Sequence, residues 1–259
     1  MGFVPTMGAM HQGHLSLIRL AKEHADEVVV SIYVNPEQFA PDEDYEAYPR
    51  QLEDDIKQCE ELDVSAVFTP SDEIMYGSDK FLSIKIDELN DHMDGASRPG
   101  FFEGIVLVVN KFFNIIEPDI AVFGQKDLQQ FRILQQMVEE FNHNIELVMG
   151  PIMRANDGLA LSSRNAYLND QQRKIAPGLY RALVYVKKQI EDGAKNLDIL
   201  LNHQKAELEA KGFEIDYLNL FSFNKMAPVK EVKVDKKYVL AGAVYLGETR
   251  LIDNMIIEL

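Results

Sequence analysis

The segment that most constrains the fold of this chain is PTMGAMHQGH, at positions 5–14. Phe3 and Val4, just ahead of it, read as the end of a strand. After it, apolar residues recur at helical spacing up to about Ala25. The run from Val28 to Val34 is apolar and β-branched, which is typical of a buried strand. The pattern therefore predicts a strand, a loop, a helix and a second strand, the unit from which parallel sheets are built.

The loop in this unit is suited to binding an anion. A helix N-terminus carries unpaired N–H groups and the positive end of the helix dipole. His11 and His14 can add hydrogen bonds to phosphate oxygens. The loop lacks G-x-G-x-x-G and G-K-[ST], which excludes the dinucleotide fingerprint and the Walker A loop. The alternative, on the motif alone, is a pair of loop histidines that only face solvent.

Composition limits the classes of protein to which the chain can belong. With 259 residues, 46% of them hydrophobic, the chain can form a good core, and we expect two domains. The net charge of −16 disfavours nucleic acid as a partner, because binding the phosphate backbone needs clustered Lys and Arg. The single cysteine, Cys59, excludes an internal disulfide and fits a reducing cytoplasm. The longest apolar run, Ile105–Val109, is too short to cross a bilayer, and we expect no signal peptide.

A lysine marks a second candidate anion site. After a predicted strand at 119–123, Gly124 turns the chain into a helix that begins near Asp127. Lys126 lies at the start of this helix, where a cation is unfavourable for the helix dipole, so its presence favours a bound anion. The structural alternative is a capping pair formed by Asp127 and Gln130.

The loop at positions 156–165 is a third candidate. Its Ser162, Ser163 and Arg164 provide two hydroxyls and a guanidinium, groups that can surround a polyphosphate. On composition alone, a loop rich in Ser and Asn is also explained as a plain turn.

Two carboxylates lie on the helix that follows the second strand. The spacing of Leu52, Ile56 and Cys59 predicts that these residues form its core stripe. Asp54 and Asp55 lie on the same helix. Such carboxylates are usually solvated, but beside a nucleotide they are candidate ligands for Mg²⁺.

Gln38 follows the second strand, at the edge of the sheet where ligands of open α/β proteins gather. Its amide could recognise hydroxyl and carboxylate groups. The alternative is a turn residue that pairs with the backbone.

Two of these segments resemble those of a known family. The H-x-G-H motif resembles the signature of the HIGH-type nucleotidyltransferases. The whole segment at 5–14 resembles P-T-M-G-A-L-H-x-G-H of the pantothenate synthetase family, with Met10 in place of leucine. The segment at 158–165 resembles the family's G-L-A-M-S-S-R-N, with Leu161 in place of methionine. The resemblance extends from Gly2 to Asn254; because relatives usually carry further residues ahead of the first motif, we expect either a naturally short protein or a missing strand and helix.

The resemblance implies roles for residues in all of these segments. The implied catalytic residues are His11, His14, Lys126 and Arg164. The two histidines would hold ATP phosphates and stabilise charge on the α-phosphoryl group, and Lys126 and Arg164 would clamp the triphosphate together with Ser162 and Ser163. Further implied ATP contacts are Met7, Gly124, Asp127, Leu161, Ser162 and Ser163. The implied pantoate-binding residues are Pro5, Met7, Gln38 and Gln130, with Asn35, Tyr48 and Arg98 as weaker candidates for the pocket wall. The candidate Mg²⁺ ligands are Asp54 and Asp55.

The implied reaction is ATP-dependent condensation of pantoate with β-alanine through a pantoyl adenylate, releasing AMP and pyrophosphate. The resemblance also implies a homodimer, and from the composition we expect a cytoplasmic protein without nucleic-acid or membrane partners. One alternative is another HIGH-type adenylyltransferase that acts on a phosphorylated acceptor. Its acceptor pocket would need more Lys or Arg, whereas Gln38 and Gln130 suit a small carboxylic acid. The other is a catalytically inactive metabolite-binding or assembly protein. The residues that argue against it are the intact His11, His14, Lys126 and Arg164.

The predicted fold class is α/β, with two domains. Strands alternate with helices through about Pro151, which predicts a Rossmann-like parallel sheet in an N-terminal domain of residues 1–152. Beyond it we predict a smaller α+β C-terminal domain, residues 153–259, that carries the Ser-Ser-Arg loop and closes over ATP. One helix is predicted across 173–189 with Pro177 near its first turn, followed by three apolar runs.

Overall fold

The computed structural model describes residues 1–41, 43–79 and 81–259. In chain order its strands are β1 (Gly2–Thr6), β2 (Val28–Ile32), β3 (Ala66–Phe68), β4 (Ile120–Gly124), β5 (Glu146–Gly150), β6 (Glu214–Ser222), β7 (Lys237–Leu246) and β8 (Thr249–Glu258). Its α-helices are α1 (Gln12–His24), α2 (Leu52–Glu61), α3 (Asp72–Tyr76), α4 (Met93–Ser97), α5 (Phe101–Ile116), α6 (Leu128–Glu140), α7 (Asp170–Ile175), α8 (Gly178–Glu191) and α9 (Leu197–Glu209).

The chain divides into two compact units. The first consists of residues 1–90 and 98–152, and the second of residues 91–97 and 153–259. None of the helices in the described ranges is long and apolar enough to cross a membrane.

The first unit is built on a parallel sheet with the strand order β3-β2-β1-β4-β5. The central strand β1 and its neighbour β4 are almost wholly buried, as expected for a parallel sheet covered on both faces. On one face, Ile18 of α1 packs in a cluster with Val4, Val30 and Val122. On the other, Phe112 of α5 meets the ring of Phe3 edge-on, with 5.7 Å between centroids. The predicted Rossmann-like fold is confirmed.

The second unit is built on an antiparallel sheet with the order β6-β7-β8. Leu183 and Val186 of α8 pack in one cluster with Leu218 and Leu240 of the sheet. Arg250 of β8 ties α4 to this sheet, since its Nη2 lies 2.6 Å from both Asp94 Oδ1 and Asp216 Oδ2. This partly buried ionic contact joins α4, which lies within residues 91–97, to the sheet of the second unit.

Two local predictions are wrong for physical reasons. The single helix predicted across 173–189 is two helices, α7 and α8, because Pro177 caps α8 and has no N–H with which to continue α7. The core stripe predicted for α2 includes Leu52, which is 45% exposed, and omits Asp55, which is 1% exposed. Helical spacing could not identify Asp55 as buried, because its burial depends on contacts with another loop.

Candidate active site

The candidate site in the first unit lies at the carboxyl ends of β1 and β4. The strand order reverses at this pair, because β2 and β3 lie on one side of β1 and β5 lies beyond β4. In doubly wound sheets, ligands bind in the crevice outside such a switch point. The loop that carries His11 follows β1, and the turn that carries Lys126 follows β4. The topology therefore brings these two sequence motifs to one crevice.

His11 and His14 belong to the first turn of α1 rather than to a loop ahead of the helix. His11 is the N-cap residue, and its Nδ1 accepts the N–H of Gly13 at 3.0 Å. His14 Nδ1 accepts the N–H of His11 at 3.3 Å, which completes a reciprocal capping box. The ring centroids lie 4.1 Å apart. Because each Nδ1 accepts a hydrogen bond, each neutral ring carries its proton on Nε2 and presents an N–H donor there.

The surroundings of both histidines favour the neutral form. Burial, followed by the positive charge of Lys126, lowers the pKa of His11 to about 4, although Asp127 opposes the shift. Burial, followed by His11 and Lys126, lowers the pKa of His14 to about 3. At neutral pH, therefore, the pair donates hydrogen bonds without carrying charge, and Lys126 supplies the positive charge nearby.

Lys126 lies in a 3₁₀ turn, Gln125–Asp127, between β4 and α6. Its ammonium lies 3.5 Å from Asp127 Oδ1. Asp127 is the N-cap residue of α6, but its side chain makes no capping hydrogen bond. Asp127 and Gln130 therefore do not form the capping pair considered above, and helix capping does not explain why an aspartate lies at position 127.

Gln38 is held at the end of β2 by a hydrogen-bond network. Its Nε2 contacts Met7 Sδ at 2.9 Å, which brings together two of the predicted pantoate-binding residues. Asn35 Nδ2 donates to Gln38 Oε1 at 3.2 Å and to Gly104 O at 3.2 Å. Tyr76 OH donates to Asn35 Oδ1 at 2.5 Å. Asn35 therefore positions Gln38. Tyr76 is also part of this hydrogen-bond network, and no sequence pattern indicated it.

Arg98 and Tyr48 support the chain that follows Gln38. Arg98 forms a bidentate pair with Glu43, with both contacts at 2.6 Å, and donates to Gln38 O at 3.2 Å. The ring of Tyr48 packs edge-on against Phe39. Arg98 and Tyr48, the two weaker candidates for the pocket wall, therefore contact protein groups around Gln38.

The loop with Ser162, Ser163 and Arg164 belongs to the second unit. Ser162 Oγ accepts the N–H of Arg164 at 3.3 Å and begins a 3₁₀ turn, Ser163–Tyr167. The N–H of Leu161 donates to Met153 O at 2.9 Å, and this bond fixes the start of the loop.

The two candidate magnesium ligands differ sharply. Asp54 is exposed, whereas Asp55 is buried. Asp55 Oδ2 accepts the N–H of Ala9 at 2.9 Å, and Oδ1 accepts the N–H of Met10 at 2.7 Å. Over the described ranges, no three His, Cys, Asp or Glu side chains are grouped so that they could hold a metal. The pair therefore does not fit a magnesium site, because one carboxylate is solvated and the other is hydrogen-bonded to backbone.

Comparison with known proteins places the chain in a family. The family model described as pantoate-beta-alanine ligase matches residues 1–256. The pantothenate synthetase of Thermosipho africanus is 49% identical over 256 residues, which cover 99% of this chain and 91% of that protein. That of Caldicellulosiruptor saccharolyticus is 46% identical over 258 residues, with the same two coverages.

Solved structures agree in fold as well as in sequence. The pantothenate synthetase of Thermus thermophilus matches with a TM-score of 0.92 and 39% identity, over 98% of this chain and 92% of that one. The ligase of Francisella tularensis, solved in complex with beta-gamma ATP and beta-alanine, matches with a TM-score of 0.80 and 36% identity, over 98% and 88% of the two chains. The resemblance stated from the sequence is confirmed. The chain belongs to the pantoate–β-alanine ligase family, the pantothenate synthetases.

Proposed function

We propose that this chain ligates pantoate and β-alanine, the ATP-dependent reaction of its family, through a pantoyl adenylate. A carboxylate oxygen of pantoate attacks the α-phosphorus of ATP, and the bond to the β-phosphate oxygen breaks as pyrophosphate leaves. The neutral amine of β-alanine then attacks the acyl carbon. The carbon–oxygen bond to AMP breaks, the nitrogen loses a proton to solvent, and pantothenate and AMP are released.

The pair of neutral imidazoles beside Lys126 is the observation that carries this proposal. Two Nε2–H donors and one ammonium at a helix N-terminus are suited to a polyphosphate that gains charge during transfer. None of these groups needs to form a covalent bond with the substrate. Their contribution is orientation and charge stabilisation, and proximity alone can supply about 7–11 kcal/mol.

The acceptor is proposed to lie beside the phosphate-binding groups, against Pro5, Met7, Gln38 and Gln130. Met7 and Gln38 are in contact, so an apolar surface and an amide are presented together. The apolar surface suits the dimethyl group of pantoate, and the amide suits its hydroxyl and carboxylate oxygens. Uncharged glutamines favour a small carboxylic acid over a phosphorylated acceptor.

The remaining ATP contacts are proposed from the family resemblance. Gly124 and Asp127 would meet the ribose, Leu161 the adenine, and Ser162, Ser163 and Arg164 the triphosphate. We also propose that residues 1–152 and 153–259 act as two functional domains. The support is a break between compact units after Ile152.

Three further proposals rest on the family resemblance or on composition. Magnesium enters with ATP as part of the substrate, rather than on a site made by Asp54 and Asp55. A homodimer is proposed, and the exposed side chains of Phe81 and Leu82 offer an apolar surface for it. A cytoplasmic location is proposed from the single, buried Cys59.

Isotope transfer tests the proposed route directly. With ¹⁸O in the pantoate carboxylate, the adenylate route places one label in AMP, because the attacking oxygen stays on the α-phosphorus. Label in inorganic phosphate instead would show an acyl phosphate and refute the proposal. Pyrophosphate release should be limited to about one turnover with pantoate alone and continuous after β-alanine is added.

A variant tests the role of the histidines in the same reaction. His14→Ala should lower kcat by about 10²–10³-fold if the imidazole stabilises charge that develops during transfer. His24→Ala, in the last turn of the same helix and exposed, is the matched control and should retain wild-type kcat. A His14→Ala change confined to KM would show ground-state binding only.

A further inference from the structure

We propose that Asp55 is a positioning residue that fixes the loop between β1 and α1 by binding its backbone, and that it is not a magnesium ligand. Asp55 lies in the first turn of α2 and is 1% exposed. Its two carboxylate oxygens accept two consecutive backbone N–H groups, those of Ala9 and Met10. The inference rests on the proposed role of His11 and His14 in phosphate binding.

The loop has a backbone conformation that needs such support. Gly8 has φ +79 and Ala9 has φ +47, both in the left-handed region. This region is unfavourable for alanine, and residues held there persist only where surrounding contacts require it. Consecutive N–H groups in such a turn point to one side and form a concave donor site for an anion. Asp55 is the anion that occupies this site.

Four consecutive loop amides are satisfied within the protein. The N–H of Gly8 donates to Thr6 Oγ1 at 3.2 Å, and Thr6 in turn donates to Ser31 O at 2.7 Å. The next two N–H groups donate to Asp55, and that of His11 donates to His14 Nδ1. Since these amides are already paired, the phosphate contacts at this end of the loop fall to the imidazole Nε2–H groups. The placement of those groups depends on the loop that Asp55 holds.

The fit between Asp55 and the loop is close. A Cβ added at Gly8 would lie 2.8 Å from Asp55 Oδ2. A charge-assisted hydrogen bond is about twice as strong as a neutral one, and Asp55 makes two of them in a buried setting. Asp55 is 1% exposed, so in this conformation a hydrated metal ion could not reach these oxygens. Asp54, the neighbouring carboxylate, is exposed and does not share these contacts.

The test compares Asp55→Asn with Glu53→Gln. Asn keeps the shape of the side chain but turns one acceptor into a donor that faces a backbone N–H. Glu53 is an exposed carboxylate in the same first turn of α2 and serves as the matched control. The measurements are kcat and KM for ATP, the Mg²⁺ concentration that gives half-maximal rate at fixed ATP, and the NMR signals of the His11 and His14 rings.

Asp55→Asn should lower kcat/KM for ATP by about tenfold or more, because sub-ångström placement of reacting groups controls the rate. It should shift the His11 and His14 ring signals and leave the half-maximal Mg²⁺ concentration within about twofold of wild type. Glu53→Gln should change none of these. Unchanged ring signals, or a tenfold rise in the Mg²⁺ requirement, would overturn the proposal.

A second variant keeps the test decisive if Asp55→Asn does not fold. Asp55→Glu retains both acceptor oxygens but displaces them by one methylene, so it should give smaller changes of the same kind. A Mg²⁺ requirement raised tenfold in this variant would again overturn the proposal. The ring signals are measured without pantoate. They therefore test the position of the loop separately from the isotope-transfer experiment, which tests the proposed function.

Discussion

Gly104→Ala should separate pantoate binding from ATP binding, because Gly104 lies where α5 touches the turn that carries Gln38. A Cβ at Gly104 would lie 2.0 Å from Glu37 O and 3.0 Å from Gln38 N. Ordinary contact begins at 3.4 Å, so the turn must retreat by about 1.4 Å. The carbonyl of Gly104 also accepts a hydrogen bond from Asn35. The displacement therefore reaches Gln38 through both the turn and Asn35.

The expected cost has two parts. Overpacking of this kind destabilises a protein by about 1–3 kcal/mol, which should appear as a lower unfolding midpoint. A misplacement of about 1 Å can lower catalytic efficiency by about 10²-fold, so kcat/KM for pantoate should fall by that order. KM for ATP should change little, because the His11 loop and Lys126 follow other strands.

The assay is steady-state kinetics with pantoate and ATP varied in turn, together with thermal unfolding. Asn114→Ala, at an exposed position of the same helix, is the control and should match wild type. Wild-type kcat/KM for pantoate in a folded Gly104→Ala protein would refute the reasoning. Equal losses for pantoate and ATP would also refute it, since they would show a general distortion.

The other predictions concern titration and assembly. In an NMR titration from pH 7 to pH 6, the rings of His11 and His14 should not protonate, because pKa values of about 4 and about 3 leave about 1% or less charged at pH 6; titration of either near pH 6.5 would contradict this. Since unfolding restores a pKa near 6.5, the unfolded chain binds more protons below that pH, and stability from this source should fall as the pH is lowered from about 6.5 towards 4. Phe81→Ser with Leu82→Ser should shift the mass measured by light scattering from dimer to monomer, whereas a wild-type monomer would contradict the proposed assembly.

The parts of the fold that could be predicted are those that local sequence specifies. The strands β1 and β4 are continuous apolar runs, and their burial on both faces follows from that pattern. The motifs after them could then be placed at one edge of the sheet by topology alone. His11 and His14 were identified correctly as a pair at a helix start, although the helix begins at Gln12, between them.

The parts that could not be predicted depend on contacts between distant segments. Asp55 reads as a surface carboxylate from its spacing, and its burial depends on two backbone amides about forty-five residues earlier. Tyr76 supports Gln38 through Asn35, and this chain of hydrogen bonds leaves no local pattern in the sequence. Such contacts are set by the packing of whole elements, which periodicity does not report.

The two ring nitrogens of each histidine serve different purposes, and this division requires the same neutral form that burial and nearby positive charge favour by lowering the two pKa values. Nδ1 of His11 and Nδ1 of His14 accept backbone N–H groups and so stabilise the start of α1. Protonation would turn each of these acceptors into a donor and would place two donors face to face. Burial and the charge of Lys126 act in the same direction. The capping box therefore requires the same neutral tautomer that leaves Nε2–H available to phosphate, and a change that protonates either ring would break its capping hydrogen bond and weaken the start of the helix.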